Sequence, residues 1–337
     1  MRIVLFLGAG FSAPFGLPTM NEFFRVAEDS PRIDDAQKEF LRELRLEARH
    51  ANAFLQSSPT NLEDILSLAV MGDRVGLMGK DGVERAPTIK RILQRIYTTT
   101  VGSDQYWNQF DVFKSFLDFD LNTQDHELSI VTTNYDLNIE SALITNNRST
   151  FPGFQVKPVE TGECRVKSSF YDQQGIPVFK LHGSVNWFPD AESPEFFRVE
   201  GRVVEVRSRD KFGTLPWPCA KNYPSKEIPV IIPPSFLKPE FPGPLRQIWS
   251  GAAKALHDAE VVGFIGYSFP PSDVEMKYFI ARCLIDNKTL RKMLLIDKNA
   301  NDIHARLERD ESGFGSHFVE LLEPHHKDWT TAKLSLK

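Results

Sequence analysis

Apolar residues follow two spacings along this chain of 337 residues. Short segments rich in apolar residues, which indicate buried strands, occur at 3–7, 128–131, 177–181, 228–232, 261–265, 292–297 and 317–322. Apolar residues recur three and four positions apart, as in amphipathic helices, at 34–118, 244–259, 273–285 and 300–309. From 244 to 322 the two patterns alternate in order. This alternation predicts an α/β fold with a doubly wound, Rossmann-like parallel sheet.

One long helical stretch interrupts that alternation. We expect residues 1–337 to form a single domain, with residues from about 20 to 120 as an all-helical insertion within it. The apolar stripes of the insertion allow two interpretations. Its helices could pack on each other as a small bundle beside the sheet. Part of its surface could instead be shared between subunits, and this second interpretation predicts a homo-oligomer.

Composition and charge exclude several classes of protein. The formal net charge is −5, so the chain has no overall attraction to nucleic acid or to an anionic membrane. The three cysteines, Cys164, Cys219 and Cys283, form no CxxC pair, which excludes a four-cysteine zinc site and disfavours a disulfide framework. The apolar run at 3–7 is shorter than a secretory signal requires, and no segment approaches the roughly eighteen apolar residues of a membrane span. We therefore expect a cytoplasmic protein without a metal site.

A glycine-rich turn follows the first strand. The sequence GAGFSA, Gly8 to Ala13, fits the pattern G-x-G-x-x-G/A, in which glycine lets a pyrophosphate approach backbone N–H groups. The alternative is an ordinary tight turn between a strand and a helix. No acidic residue closes a second strand about twenty positions later, so a hydride-transferring dehydrogenase is disfavoured.

Polar residues also end the second predicted strand. In TTNYD, residues 132–136, Asn134 and Asp136 stand two positions apart where the strand opens into a loop. Both residue types form turns and cap helices, and Asp136 as a helix N-cap is the structural alternative. An amide and a carboxylate at this position also suit the binding of ribose hydroxyls.

Three further predicted strands end in small or polar residues. His182 opens the loop in LHGS, Gly266 and Ser268 follow the run at 261–265, and Asp297 closes the next strand. A lone histidine is more often a packed, hydrogen-bonded imidazole than a catalytic group. However, the carboxyl ends of parallel strands meet at one edge of a sheet, where open α/β folds bind their ligands. We therefore expect all five strand ends to contribute to one site.

In their order along the chain, these motifs resemble the sirtuin fold. The matching segments are Gly8–Ser12, Gly16–Pro18, Thr132–Asp136, His182–Gly183 and Gly266–Ser268, with Asp297 last. The chain departs from sirtuin deacylases in three features. It lacks the zinc ribbon with two CxxC pairs, it has TMNEF after the G-x-P motif, and Thr133 replaces a glutamine. The chain is thus more similar to the sirtuin-like NAD hydrolases of bacterial antiphage defence systems than to a protein deacylase.

This resemblance implies an NAD⁺ hydrolase that cleaves the bond between nicotinamide and ribose, with NAD⁺ as its substrate and no metal. Asn134 and His182 would be the catalytic residues. The cofactor-binding residues would be Gly8, Ala9, Gly10, Phe11, Ser12, Pro18, Thr132, Asp136, Gly266, Ser268 and Asp297, of which 8–12 would hold the phosphates and Asp297 the adenosine ribose.

Other functions remain open from the sequence. An NAD-dependent deacylase or ADP-ribosyltransferase would need an acceptor besides water, and a non-catalytic NAD or ADP-ribose sensor would not need a base. The resemblance also implies NAD⁺ depletion in abortive infection. A free NAD⁺ hydrolase would be toxic to the cell. The resemblance therefore further implies a separate activating protein, such as an ATPase or an Argonaute-type partner.

Overall fold

A seven-stranded parallel sheet organises the chain in the computed structural model. Its strands are β1 (Arg2–Leu7), β2 (Glu127–Thr132), β3 (Thr150–Phe151), β4 (Ile176–Lys180), and, after four strands outside the sheet, β9 (Val261–Ile265), β10 (Lys292–Asp297) and β11 (Leu322–His326). Their order across the sheet is β11-β10-β9-β1-β2-β4-β3, and each neighbouring pair is parallel. The predicted doubly wound sheet is confirmed.

The structure describes residues 1–20, 22–55, 62–76, 85–98, 109, 111–113, 115–117, 126–146, 148–154, 172–190, 192–193, 196–199, 202–208, 211–217, 228–232, 243–271, 273–309 and 316–326. The helices are α1 (Ala9–Ser12), α2 (Phe23–Asp29), α3 (Asp35–Leu55), α4 (Leu62–Arg74), α5 (Arg85–Tyr97), α6 (Asn138–Thr145), α7 (Pro244–Asp258), α8 (Val274–Leu284), α9 (Ala300–Glu308) and α10 (Ser316–Leu321). None of the helices in these ranges has both the length and the apolar character needed to cross a membrane.

Side chains from both faces of the sheet are buried, as its continuous apolar strands predict. In β1, Ile3, Leu5 and Leu7 belong to one core cluster, whereas Val4 and Phe6 belong to another. Successive side chains of a strand point to opposite faces, so these clusters lie on opposite sides of the sheet. Residues of α7, α8 and α9 cover the Phe6 face, and residues of α1 and α6 cover the Leu5 face.

The described helices of the insertion have their own core. Apolar residues of α2, α3, α4 and α5 form a third cluster that also includes Tyr135, Leu137, Val185 and Ile231 from the loops of the sheet. Phe113, which comes later in the chain, packs instead in the cluster on the Leu5 face. The described helices therefore pack on each other and on the loops at the carboxyl ends of β2 and β4.

Four short strands lie outside the main sheet. β5 (Trp187–Pro189) pairs with β6 (Phe197–Val199), and β7 (Arg202–Ser208) pairs with β8 (Lys211–Trp217), both antiparallel. The sequence GRVVEVRS, residues 201–208, by itself predicts a strand, and β7 confirms that prediction. Residues 191, 194–195, 200–201, 209–210 and 218–227 of the segment from 184 to 228 lie outside the described residues.

Two predicted strands differ from the structure. The segment 317–322 lies almost entirely in the helix α10, and the strand follows it at Leu322–His326. Val319 and Leu322 are both buried and stand three positions apart, a spacing that also fits a helix. Residues 228–232 form only a single antiparallel bridge, between Ile231 and Gly183. Pro229 lacks the N–H that a longer ladder would require.

Strand order reverses beside β1. The chain moves from β1 to β2 on one side and returns later to β9 on the other. Loops that leave such a reversal in opposite directions open a crevice at the carboxyl edge of the sheet. The fold thus places a binding crevice where the sequence predicted one.

Candidate functional site

The strand register brings the loops of the site to one edge. Leu7 is paired with both Thr132 and Ile265, and Thr132 is paired with Lys180, so these four residues form one row across the sheet. The chain enters the loops at Gly8, Thr133, Leu181 and Gly266 directly after this row. The four loops therefore begin at the same height, at the carboxyl ends of adjacent strands.

These loops line a cavity with about 800 Å³ of empty space, part of it open to solvent. The cavity is lined by Ala9, Ser12, Pro18, Met20, Tyr97, Thr133, Asn134, Tyr135, Asp136, His182, Gly266, Tyr267, Ser268, Pro270 and Asp273. We call Ser12, Asn134, Asp136 and His182 the central wall, and residues 266–271 with Asp273 the β9 wall.

The glycines of the first loop pack against the β9 wall. A Cβ atom on Gly8 would lie 2.5 Å from the Gly266 oxygen, and one on Gly10 would lie 2.8 Å from the Gly266 Cα. The N–H groups of Gly8 and Gly10 donate to the carbonyls of Ile265 and Gly266 at 3.0 and 2.9 Å, and Phe11 N–H donates to Gly8. The glycines thus allow one backbone to approach another, and the N–H groups of these three residues are bonded within the protein.

Asn134 has a defined side-chain orientation. Its Nδ2 donates to the Gly8 carbonyl at 2.8 Å and to Ser12 Oγ at 3.1 Å. A carbonyl can only accept a hydrogen bond, so the atom facing Gly8 must be the amide nitrogen. Oδ1 therefore points away from these partners. Because Asn134 lines the cavity, its amide oxygen is available to accept a hydrogen bond from a ligand or a water molecule.

Asp136 completes the hydrogen-bond network of the central wall. Its carboxylate accepts the Ser12 hydroxyl at 2.8 Å and the Asn138 backbone N–H at 2.9 Å. Burial raises the pKa of Asp136, and the nearby Lys180 charge and both hydrogen bonds oppose that rise. The helix α6 begins at Asn138, so Asp136 precedes the N-cap position yet still bonds the first turn. Asp136 is therefore not the helix N-cap, which is Leu137, although its carboxylate bonds the first helical residue. Asp136 also lines the cavity, and its role in ribose binding stays a prediction.

His182 lies in a loop that is fixed by the segment at 228–232. Its carbonyl accepts the Ile232 N–H at 2.8 Å, and the Ser184 N–H donates to Val230 at 3.0 Å. The imidazole is buried, and its ring centroid lies 6.3 Å from that of Tyr135. Gly183 has a φ of 82° and packs directly against the Val230 carbonyl, so only glycine fits there. His182 is one of the residues that line the cavity.

The β9 wall has an unusual backbone conformation. Gly266 has a φ of 61°, and Phe269 has a φ of 50°, which is uncommon for a residue with a side chain. Arg306 on α9 donates to the carbonyls of Ser268 and Phe269, and the Tyr267 hydroxyl donates to Asp273 at 3.0 Å. These bonds stabilise the turn that forms this wall.

The helical insertion supplies a third wall. Tyr97, at the end of α5, lines the cavity, and its hydroxyl lies 3.4 Å from the Pro18 carbonyl. Its ring stacks on Phe23 with centroids 6.1 Å apart. Burial raises the pKa of Tyr97, and the charges of Asp136 and Glu22 add to that rise. The insertion therefore closes the site with an aromatic side chain.

The structure brings eight of the thirteen predicted site residues together around the cavity: Ala9, Ser12, Pro18, Asn134, Asp136, His182, Gly266 and Ser268. The others are outside its lining. Gly8, Gly10 and Phe11 pack behind it, and the Thr132 hydroxyl donates to the Leu7 carbonyl at 2.9 Å. Asp297 ends β10, one strand beyond β9, and accepts the Asn299 N–H at 2.8 Å. Their roles in binding stay predictions.

Seven residues that line the cavity were not predicted: Met20, Tyr97, Thr133, Tyr135, Tyr267, Pro270 and Asp273. Thr133, Tyr135 and Tyr267 stand inside the recognised motifs, so their neighbours were a usable signal. Asp273 occupies the N-cap position of α8 and resembles an ordinary cap. Nothing local in the sequence marks Tyr97, because only the packing of the insertion brings it to the site.

Within the described part of the chain, His, Cys, Asp and Glu residues form no cluster of three or more that could hold a metal ion. Cys283 is buried and free, and burial raises the pKa of its thiol to about 11. Cys164 and Cys219 lie outside the described residues.

Comparison with known proteins gives one family and a set of solved structures. A family model described as a SIR2-like domain matches residues 128–314. No curated protein matches the chain significantly. A Sir2 homologue in complex with NAD is 14% identical with a TM-score of 0.37, covering 88% of this chain and 77% of its own. Sir2Tm bound to a propionylated peptide is 12% identical with a TM-score of 0.36, covering 98% and 89%. A mutant Sir2 homologue in complex with ADP-ribose is 14% identical with a TM-score of 0.35, covering 88% and 80%.

Proposed function

The chain belongs to the SIR2-like family, whose model matches more than half of it, and we propose that it is an NAD⁺ hydrolase. The reaction would cleave the bond between nicotinamide and ribose and give nicotinamide and ADP-ribose. One observation carries this proposal. The central wall places Asn134, whose amide nitrogen is held by Gly8 and Ser12, and the buried His182 in the lining of the same cavity.

The substrate needs little acid catalysis. Nicotinamide in NAD⁺ is a cationic leaving group, and the electron pair of the broken C–N bond neutralises its ring nitrogen. The transition state resembles an oxocarbenium ion, as in other glycosidic cleavages. The protein must therefore hold the ribose, place a water molecule at C1′ and accept one proton from that water.

Asn134 would place the water or a ribose hydroxyl. Its amide nitrogen is held by Gly8 and Ser12, so its oxygen has a fixed direction and can accept an O–H from the reacting group. An acceptor already held in place loses no conformational freedom when the substrate binds, which is the usual origin of such catalysis.

His182 would accept the proton. Imidazole can act as a general base at neutral pH, and a positioned base contributes on the order of a hundredfold or more. The new C1′–O bond forms as the C–N bond breaks, and the proton of the water passes to the imidazole. Ala9, Ser12 and Ser268 line the same cavity and would contact the nucleotide.

We also propose that the activity is restrained in the cell. Uncontrolled hydrolysis would deplete NAD⁺, which fits a role in antiphage defence by abortive infection. Homo-oligomerisation or a separate activating protein, such as an ATPase or an Argonaute-type partner, would release the activity. Light scattering combined with turnover across protein concentration tests this part, and a monomer with full, concentration-independent activity contradicts it.

The central experiment uses the purified protein in three arms: NAD⁺ alone, NAD⁺ with an acyl-lysine peptide, and ADP-ribose alone. We expect nicotinamide and ADP-ribose from the first arm, quantified by chromatography. Nicotinamide release only with the peptide would show a transferase or deacylase instead. ADP-ribose binding without any nicotinamide release, at every protein concentration, would show a sensor.

A further inference from the structure

Lys180 is a buried cation directly beneath the site. It ends β4, its side chain is 1% exposed, and no other lysine or arginine whose burial the structure describes is buried. The ammonium donates to the carbonyls of Tyr135 and Asp136 and to Glu140 Oε1, the last at 3.0 Å. An ammonium has three hydrogens, so all of its donors are used inside the protein.

These contacts connect the two loops that carry the proposed catalytic residues. Tyr135 and Asp136 directly follow Asn134 in the loop after β2. Lys180 is the last residue of β4, and His182 follows it two residues later in the loop after that strand. The Tyr135 carbonyl also accepts the Val185 N–H at 3.0 Å. One cation therefore lies where the segments holding Asn134 and His182 meet.

The same cation balances two buried carboxyl groups. Glu140 lies in the first turn of α6 and is 4% exposed, and Asp136 is 3% exposed. Burial raises the pKa of both groups, and the charge of Lys180 opposes the rise in each. Other titratable groups lie around Asp136 as well: Tyr97 on α5, His182 and Asp273 in the cavity lining. Of all these groups, Lys180 is the one that favours the ionised form of Asp136.

We propose that Lys180 is a positioning residue, which fixes the direction of the Asn134 amide by holding the loop carbonyls of Tyr135 and Asp136 and by balancing the Asp136 carboxylate. That carboxylate accepts the Ser12 hydroxyl, and the Ser12 oxygen in turn accepts the Asn134 amide. Lys180 itself is outside the cavity lining, so it acts on the substrate only through these residues. The kinetic part of this inference rests on the proposed NAD⁺ hydrolysis.

A purely stabilising role is the competing explanation, and it makes a different prediction. Replacing both members of a buried ion pair by neutral residues of similar size is often harmless to stability. If Lys180 only stabilises the fold, a neutral pair that folds should keep its activity. If Lys180 positions Asn134, such a variant should fold and still turn over slowly.

The test variant is Lys180→Met with Glu140→Gln. Its matched control is Lys254→Met with Asp258→Asn, an exposed lysine–carboxylate pair on α7 with a contact of 2.7 Å. We expect the test variant to lower kcat by about tenfold or more, because small misplacements of a catalytic group are costly. The dissociation constant for ADP-ribose, measured by calorimetry, should stay within about threefold, since the ligand does not contact Lys180. The control pair should change neither quantity.

A double-mutant cycle separates positioning from general damage. In an Asn134→Ala background, the same change at Lys180 and Glu140 should cost nothing further, because the residue to be positioned is gone. Wild-type kcat in the folded test variant, or full additivity with Asn134→Ala, would overturn the proposal. If the test variant does not fold, Lys180→Arg keeps the charge but not the three bonds. The Lys180→Arg variant should then have a kcat about threefold lower and an unchanged affinity for ADP-ribose. An unchanged kcat in this variant would contradict the proposal.

Hydrogen exchange provides a readout that needs no catalysis. The Asn134 N–H bonds Thr132 Oγ1 at 3.0 Å, and the Asn138 N–H bonds Asp136 at 2.9 Å. Mass spectrometry of a peptide spanning 132–140 should show faster exchange in the test variant and wild-type exchange in the control pair. If the wild-type protein releases no nicotinamide, the proposed function fails, while unchanged exchange in the test variant would by itself overturn the role of Lys180.

Discussion

The central wall and the β9 wall face each other across one cavity, yet they are stabilised by different means. Side chains hold the central wall: the half-buried Asn134 donates to Ser12, and the buried Ser12 donates to the buried Asp136. The β9 wall depends on its backbone, which turns through positive φ angles at Gly266 and Phe269 and is supported by Arg306 from outside the cavity. The first arrangement fixes the direction of single atoms, and the second fixes the shape of a surface. We therefore expect changes in the central wall to affect turnover, and changes behind the β9 wall to affect affinity.

The largest effect should come from His182→Ala. Loss of the proposed base should reduce nicotinamide release by on the order of a hundredfold, while ADP-ribose binding stays close to that of the wild type. His257→Ala is the matched control, because His257 is an exposed histidine on α7. Turnover above about a tenth of the wild-type value in His182→Ala would remove this histidine from the mechanism.

Asp136→Asn should separate stability from activity. Burial raises the pKa of Asp136 in the folded protein, so the folded state binds the proton more tightly than the unfolded chain does. The carboxylate therefore lowers stability at pH values above its folded pKa, and stability recovers as the pH falls through that pKa. We expect the variant to melt at a higher temperature at neutral pH, in scanning calorimetry. Its kcat should fall by about tenfold, because the Ser12–Asn134 orientation weakens. A lower melting temperature would contradict the inference that the ionised Asp136 carboxylate lowers stability at neutral pH.

Arg306→Met should act on affinity alone. Removing the two hydrogen bonds to Ser268 and Phe269 leaves the strained turn without its support. The ADP-ribose dissociation constant should rise about fivefold, which corresponds to roughly 1 kcal/mol, with kcat nearly unchanged. Arg282→Met is the control, since Arg282 is exposed and donates to the exposed side chain of Asp286. A selective fall in kcat would show that the two walls do not divide their roles.

Metal removal should change neither the activity nor the stability of the protein. Treatment with EDTA followed by gel filtration should leave nicotinamide release and the melting temperature as they were. The described residues contain no cluster of metal-ligating side chains that could explain a dependence. Stoichiometric zinc in the purified protein, lost together with its fold, would contradict this expectation.

Sequence patterns predicted the sheet and the edge that carries the site, for a physical reason. Apolar runs such as 261–265 are long enough to identify buried strands, and parallel strands must end at a common edge. The polar groups beneath and behind the site were not predicted. Lys180 lies within the apolar segment 177–181, where a lysine would ordinarily be solvated, and Arg306 lies on an ordinary amphipathic helix. Their roles depend on which loop carbonyls the fold brings to them, and that is not encoded in the local pattern.

The glycines at the edge of the sheet limit how this site can evolve. Gly8, Gly10 and Gly266 meet backbone to backbone, and a Cβ atom on Gly10 or Gly8 would lie within 3 Å of the Gly266 main chain. A side chain on Gly266 would in turn collide with the main chain of Gly10 and Phe11. No single substitution at any of the three can be accommodated by a neighbouring side chain, because the obstacle is main chain. A mutational library of this protein should therefore tolerate changes in the cavity lining more readily than at these three positions, and new substrate preferences should arise around a fixed glycine contact.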